Sequence, residues 1–104
     1  MNEYVAEMKR KLRITTDKFD DDIEGYIFAG LVDMNRAGVT GASDGEESLS
    51  NRLVRVCVEF YLKWLMNFEG DGSKYKDMYE GLRDTLGSSQ EESYEDKQQE
   101  TDGA

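Results

Sequence analysis

The stretch SLSNRLVRVCVEFYLKWLMNF, residues 48–68, decides the fold that the sequence predicts. Its large apolar residues recur every three or four positions, as they do on a helix, and they cover more than half of the helix circumference. These residues are Leu49, Leu53, Val56, Cys57, Phe60, Tyr61, Trp64, Leu65 and Phe68. A helix that is apolar over so much of its surface has to be surrounded, so we expect it to lie at the centre of the protein.

Three further helices are expected around this one, because glycine and polar clusters divide the proline-free chain into four helix-length blocks. Val5, Met8 and Leu12 form one apolar stripe in a helix predicted over residues 3–12. A second helix is expected from the acids at positions 20–22 to Gly38, which has the position of a C-terminal cap. Its predicted core residues are Phe19, Ile23, Tyr26, Ile27, Leu31 and Met34.

The second predicted helix contains two glycines, Gly25 and Gly30. Each costs about 1 kcal/mol relative to alanine inside a helix, so we expect both to be sites of close packing against another helix. The fourth predicted helix has its apolar period at Tyr75, Met78, Tyr79, Leu82 and Leu86. Strand patterns are nearly absent, and the sequence therefore predicts an all-α fold, a compact bundle of about four helices.

Two segments have no helical period. Residues 38–47 include three glycines and are expected to form a flexible loop between the second and third helices. Residues 87–104 carry six acidic residues against a single lysine and have almost nothing to bury, which predicts a disordered acidic tail. The predicted organisation is one helical domain over residues 1–86, followed by a tail over residues 87–104.

The composition excludes several classes of function. The net charge is −10, and an acidic chain repels a phosphate backbone, so broad DNA or RNA binding is disfavoured. One cysteine and no histidine allow neither an intrachain disulfide nor a metal site built from Cys and His, which fits a reducing cytosol. The first residues lack a basic start and a long apolar run, so we expect a soluble, unsecreted protein that does not engage a membrane.

No catalytic, metal or cofactor site can be assembled from the sequence. Cys57 lies on an apolar helix face, and histidine, the usual base for a thiol nucleophile, is missing, which favours core packing. Neighbouring acids in the run at positions 20–22 point in different directions on a helix and cannot converge on one ion. The aromatic residues of the third helix are expected in the core, because a base-stacking platform has interleaved cations and only Lys63 is near them. We therefore expect no enzymatic activity and no cofactor.

Four of the five residues at positions 9–13 are basic: Lys9, Arg10, Lys11 and Arg13. This density is unusual in an acidic protein. The four side chains are either the solvated face of an amphipathic helix or a surface for a partner, and an acidic partner protein is favoured over phosphate.

The order of several short motifs resembles a known family. KLRITT at residues 11–16 precedes FDDDI at residues 19–23, which opens the second helix, and Gly38 with Val39 closes that helix. VCVEFY at residues 56–61 lies in the third helix, and KYKDMYEGLR at residues 74–83 starts the fourth. In this order and spacing the chain resembles, over roughly residues 3–86, the small head-tail connector proteins of siphophages and related prophages, also called head-completion or DNA-packaging proteins. The acidic tail has no counterpart in that pattern.

The resemblance implies a structural subunit that assembles as a ring on the portal at the capsid vertex, with the portal's twelvefold symmetry. The ring would complete the head, form part of the DNA channel and give the tail stopper or completion protein a docking surface, with DNA only as passing cargo. The protein would be made in the cytoplasm of the bacterial host and reside at the head-tail junction of the virion.

We hypothesise a subunit interface in this ring. The basic residues Lys9, Arg10, Lys11 and Arg13 of one copy would face the acids Asp20, Asp21 and Asp22 of its neighbour, and the loop with Val39 and Thr40, together with the tail, would order against neighbours, portal or stopper. The alternative function is a small acidic helical regulator, a nucleic-acid mimic or anti-repressor that binds a basic partner protein.

Overall fold

The computed structural model describes the backbone of residues 1–43 and 45–99, and the side chains of residues 1–43 and 45–88. It contains four α-helices: α1 (Asn2–Leu12), α2 (Asp20–Arg36), α3 (Arg52–Leu65) and α4 (Gly72–Gln99). Short 3₁₀ helices at Glu46–Ser50 and Phe68–Gly70 precede α3 and α4, and the described backbone contains no strand. The predicted all-α bundle of four helices is confirmed.

Helix α3 is the centre of the bundle and packs against each of the other three helices. It begins later than predicted, at Arg52, because the side chain of Asn51 caps it by accepting hydrogen bonds from the backbone N–H groups of Leu53 and Val54. Leu49 belongs to the preceding 3₁₀ helix, so a helical period counted from it selects the wrong face of α3.

The buried face of α3 is rotated by about one residue from the predicted one. Val54, Cys57, Val58 and Leu62 are buried, each at most 1% exposed, and the sequence pattern had selected only the cysteine among them. Leu53 is 52% exposed and Leu65 is 38% exposed, although both were predicted in the core. The central helix therefore presents apolar side chains to solvent.

Helices α1 and α2 follow the predicted pattern more closely. Val5, Met8 and Leu12 of α1 are buried, as are Ile23, Ile27, Leu31 and Met34 of α2. Phe19 and Tyr26, which were also predicted in the core, are exposed. Phe19 directly precedes α2 and Tyr26 lies within it, so the apolar pattern around α2 is wider than its buried face.

Gly38 ends α2 as predicted. Gly38 has a φ of +93°. With this backbone conformation the N–H of Val39 donates to the carbonyl oxygen of Met34 at 3.0 Å, and the N–H of Gly38 donates to the carbonyl oxygen of Asn35 at 3.1 Å. These two bonds form a Schellman motif, for which glycine is favoured because it has no Cβ. The motif directs Val39 into the core, where it is 1% exposed.

The two glycines inside α2 have different surroundings. A Cβ on Gly30 would lie 2.9 Å from the ring atom Cδ2 of Tyr61, so the predicted close packing is confirmed there. A Cβ on Gly25 would meet no described atom within 4 Å, and the prediction of close packing is wrong for that residue.

Helix α4 runs past Leu86, near which the sequence predicts the body to end. Among the residues whose side chains are described, the last buried one on α4 is Gly87, where a Cβ would collide with the carbonyl oxygen of Ala37 at the end of α2. The helix continues to Gln99. The side chains of residues 89–99 and all of residues 100–104 lie outside the described residues, and the predicted disorder of the acidic tail falls largely on them.

Candidate functional site

Three aromatic rings pack together at the end of the bundle where α3 ends and α4 begins. The rings of Phe60 and Tyr75 stack with centroids 6.4 Å apart, and Phe68 meets Tyr75 edge-on at 6.0 Å. The rings come from three elements, α3, the second 3₁₀ helix and α4. They join these elements where the chain reverses direction.

Cations from three parts of the chain lie over these rings. Lys63 Nζ is 4.8 Å from the centroid of Phe68 and 5.4 Å from that of Tyr75. Lys74 Nζ is 5.3 Å from the Tyr75 centroid, and Arg13 Cζ is 5.8 Å from that of Phe68. All of these distances are within the range of cation–π attraction.

A fourth cation lies over the neighbouring indole. Lys76 Nζ is 5.7 Å from the ring of Trp64. We define the cation–aromatic cluster by seven residues: Arg13, Lys63, Trp64, Phe68, Lys74, Tyr75 and Lys76. The sequence-based expectation that only Lys63 accompanies the aromatic residues is wrong, because the fold brings one cation from the end of α1 and two from the first turns of α4.

The cations at this end share few carboxylates. Lys63 and Lys11 both approach Glu59, at 3.0 and 3.7 Å, and Arg13 forms a 2.9 Å ion pair with Glu69. Lys76 Nζ lies 3.5 Å from Glu80. Within the described part of the chain Lys74 forms no ion pair, and its side chain is exposed. Among these groups, five cations meet three carboxylates.

The backbone is strained at the same end. The described residues include three non-glycine residues with positive φ, Arg13 (60°), Asn67 (50°) and Glu69 (54°), and all three lie in the α1–α2 and α3–α4 connections. Each such conformation costs about 1 to 2 kcal/mol. The ion pair between Arg13 and Glu69 links the two connections, and strained residues of this kind cluster at functional sites.

A second feature is a clamp between α2 and α4. Tyr79 donates its hydroxyl hydrogen to Asp33 Oδ2 at 2.6 Å, and Arg83 Nη1 donates to the same oxygen at 2.8 Å. The clamp lies at the edge of an open groove of about 500 Å³ that is also lined by Val32 and Trp64. Sequence reasoning placed Tyr79 on the apolar face of the fourth helix but missed its partners Asp33 and Arg83, although the i, i+4 spacing of Tyr79 and Arg83 places them on one face of a helix.

The protonation states in the clamp favour a structural role. Burial raises the pKa of Tyr79, and its hydrogen bond to the Asp33 carboxylate raises it further. For Asp33 burial acts to raise the pKa, but the hydrogen bonds from Tyr79 and Arg83 outweigh it, and the net pKa is lowered. The phenol stays protonated and the carboxylate ionised at neutral pH, so the clamp holds helices together and has no proton to transfer.

Cys57 is buried, and burial raises the pKa of its thiol to about 12. A thiol with so high a pKa is not a nucleophile at neutral pH. Among the described residues, no three Cys, Asp or Glu side chains are grouped so that they could hold a metal ion. Over the same residues, no helix is both long and apolar enough to cross a bilayer.

The four basic residues predicted as an interface do not form one strip. Lys9 Nζ lies 2.9 Å from both Asp17 and Asp20 of the same chain, and these carboxylates raise the pKa of Lys9. The hypothesised pairing of Lys9 with Asp20 is thus made inside one protomer. Lys11 points towards α3, and Arg13 joins the cation–aromatic cluster.

Of the other predicted interface residues, Arg10, Asp21, Asp22 and Thr40 are exposed. Val39 is not, because the Schellman turn places its side chain in the protein's own core. This removes Val39 from the hypothesised interface.

The loop that carries Val39 has internal contacts. Asn35 Nδ2 donates to the carbonyl of Ala42 at 2.7 Å, and the Ser43 N–H donates to Ser48 Oγ at 2.7 Å. These bonds hold the loop against α2 and the first 3₁₀ helix on either side of Asp44, which lies outside the described residues.

Comparisons with protein families, with curated proteins and with solved structures gave no match to this chain.

Proposed function

We propose that the chain is a structural subunit of a bacteriophage head-tail connector, assembling as a ring on the portal and completing the head. One observation carries this proposal: the motifs that resemble the connector family make the contacts that fix the helix packing. Residues 74–83 supply Tyr79 and Arg83, which clamp α4 to Asp33 of α2. Residues 11–23 supply the strained turn at Arg13 and the carboxylate of Asp20 that binds Lys9. The motifs that resemble the connector family therefore contain residues that determine how the helices of this chain pack.

The surface supports a role in assembly. Six large apolar side chains are 36–52% exposed, and each is a candidate for contact with other subunits. They are Phe19, Tyr26, Val32, Leu53, Leu65 and Met78. They are distributed over α2, α3 and α4, so one subunit can contact more than one neighbour.

The charge supports a place beside moving DNA. A chain with a net charge of −10 does not hold a phosphate backbone tightly, so DNA can pass a ring of such subunits during packaging and ejection. In this proposal the partners are the portal, the tail stopper or completion protein, and further copies of the chain, at the head-tail junction of the virion.

The test is deletion of the gene from its phage or prophage, followed by induction and electron microscopy of the particles. We expect heads that are tailless or have lost DNA, beside normal separate tails, and complementation with the intact gene should restore infectious particles. Normal infectious particles from the deletion strain would contradict the connector proposal and favour the acidic regulator, which needs no place in the virion.

A further inference from the structure

We propose that the acidic C-terminal segment of one copy, residues 87–104, docks on the cation–aromatic cluster of a second copy. The inference deepens the proposed function and rests on it to the extent that this contact would join neighbouring subunits of the ring.

Charge complementarity is the first argument. Residues 87–104 carry six acidic side chains and one lysine, a net charge of −5. In the cluster, Lys63 shares Glu59 with Lys11, while Arg13 pairs with Glu69 and Lys76 lies 3.5 Å from Glu80. Lys74 has no carboxylate partner within the described part of the chain. Cations that already lie over aromatic rings are preoriented, so an added carboxylate gains a charge-assisted hydrogen bond at a low entropic cost.

The rigidity of the cluster is the second argument. The Arg13–Glu69 ion pair connects two strained turns, and Asn67 Oδ1 accepts a hydrogen bond from the Gly72 N–H at 2.9 Å. These contacts fix the rings and cations before a partner arrives, and a preformed site loses less entropy when it binds a partner segment.

The geometry of α4 shows why the occupant comes from a second copy. The cluster lies at the first turns of α4, which begins at Gly72 and runs to Gln99, about 41 Å away at 1.5 Å per residue. The five residues that remain span at most roughly 17 Å when extended, too short to return to their own cluster. The contact is therefore head-to-tail between copies, the heterologous type that closes into rings.

Single-stranded nucleic acid is another ligand that stacks on aromatic rings among cations. The acidic body weakens that alternative, because residues 1–86 also carry a net charge of −5 and repel phosphate. An acidic protein segment is repelled by the body in the same way. In a ring, however, each subunit holds its segment close to the cluster of its neighbour, and every subunit contributes one segment and one cluster.

The experiment measures self-association of the full-length protein by sedimentation equilibrium at low and high salt. Three double variants are compared with the wild type. Lys74→Glu with Lys76→Glu reverses charge in the cluster, Glu91→Lys with Glu92→Lys reverses it in the segment, and Arg36→Glu with Arg52→Glu is the matched control. Both control residues are exposed cations outside the cluster.

We expect the wild type to associate at low salt, and the cluster and segment variants to associate about tenfold more weakly. The control should match the wild type. A chain that carries both the cluster and the segment reversals should regain association, because the exchanged charges attract again. Circular dichroism verifies that each variant folds, and Lys74→Gln with Lys76→Gln replaces the cluster variant if the reversed charges unfold it.

Three outcomes would overturn the inference: a wild type that stays monomeric at low salt, a charge exchange that fails to restore association, or an equal loss in the control variant. Tight binding of a single-stranded oligonucleotide without self-association, detected by the fluorescence of Trp64, would assign the cluster to nucleic acid instead. This experiment uses only purified protein, whereas the connector proposal is tested by gene deletion. Self-association through the cluster can therefore fail while the deletion phenotype still supports a connector, and the deletion phenotype can fail while the cluster still mediates self-association.

Discussion

The two glycines inside α2 allow a sharp test of the packing. Gly25→Ala and Gly30→Ala are the same chemical change in the same helix, and each removes the backbone flexibility that makes glycine unfavourable there. They differ only in surroundings, because the added methyl group enters open space at Gly25 and meets the ring of Tyr61 at Gly30.

The expected magnitudes have opposite signs. Gly25→Ala should stabilise the protein by about 1 kcal/mol. At Gly30 the same gain is offset by overpacking, which costs about 1 to 3 kcal/mol. The Tyr61 ring cannot move aside easily, because it packs against Trp64 at 5.5 Å and Tyr79 at 4.9 Å between centroids. The variants should differ by about 2 kcal/mol in the free energy of unfolding, or roughly 10 °C in Tm.

Urea and thermal unfolding followed by circular dichroism measure this difference. In a Tyr61→Leu background the overlap is relieved, so Gly30→Ala should there become as favourable as Gly25→Ala. Equal stabilisation by both alanines in the wild-type background would refute the proposed contact between α2 and α3 at Gly30.

Three further predictions concern the interior. Tyr79→Phe removes the hydrogen bond to Asp33 and should cost about 1 kcal/mol in urea unfolding, a low value because the carboxyl side chain is 42% exposed; no loss would contradict the clamp. Because the pKa of Asp33 is lowered on folding, its contribution to stability is present above its ordinary value of 3.8 and is lost as the pH falls through the folded value. Asp33→Asn should therefore flatten the acid limb of the stability profile, and an unchanged limb would count against this linkage. Cys57, whose pKa burial raises to about 12, should react with a thiol reagent at neutral pH only on unfolding, and rapid labelling of the folded protein would contradict its burial.

Local patterns in the sequence were sufficient for the fold class and for several details. Helical periodicity identified the buried residues of α1 and most of those of α2, and glycine chemistry identified the turn at Gly38. These features depend on neighbours within a few positions along the chain. The register of α3 was missed because a 3₁₀ helix and the cap at Asn51 interrupt the period before the helix begins.

Features that depend on contacts between helices could not be predicted. Gly25 and Gly30 are equivalent in sequence, and only the crossing of α2 and α3 decides which one faces Tyr61. Arg13 and Lys74 are far apart along the chain, yet both lie over rings of one cluster. The periodicity of a helix specifies which face is apolar but not which residue of another helix meets it.

We propose that the chain is a component of the head-tail junction. The most direct measurement is gold labelling of purified wild-type particles with an antibody raised against the helical body, viewed by electron microscopy after mild separation of heads from tails. The account predicts label at one vertex of DNA-filled heads, where the tail attaches. Particles without label, from a preparation in which the same antibody detects the protein in the cell lysate, would contradict the claim.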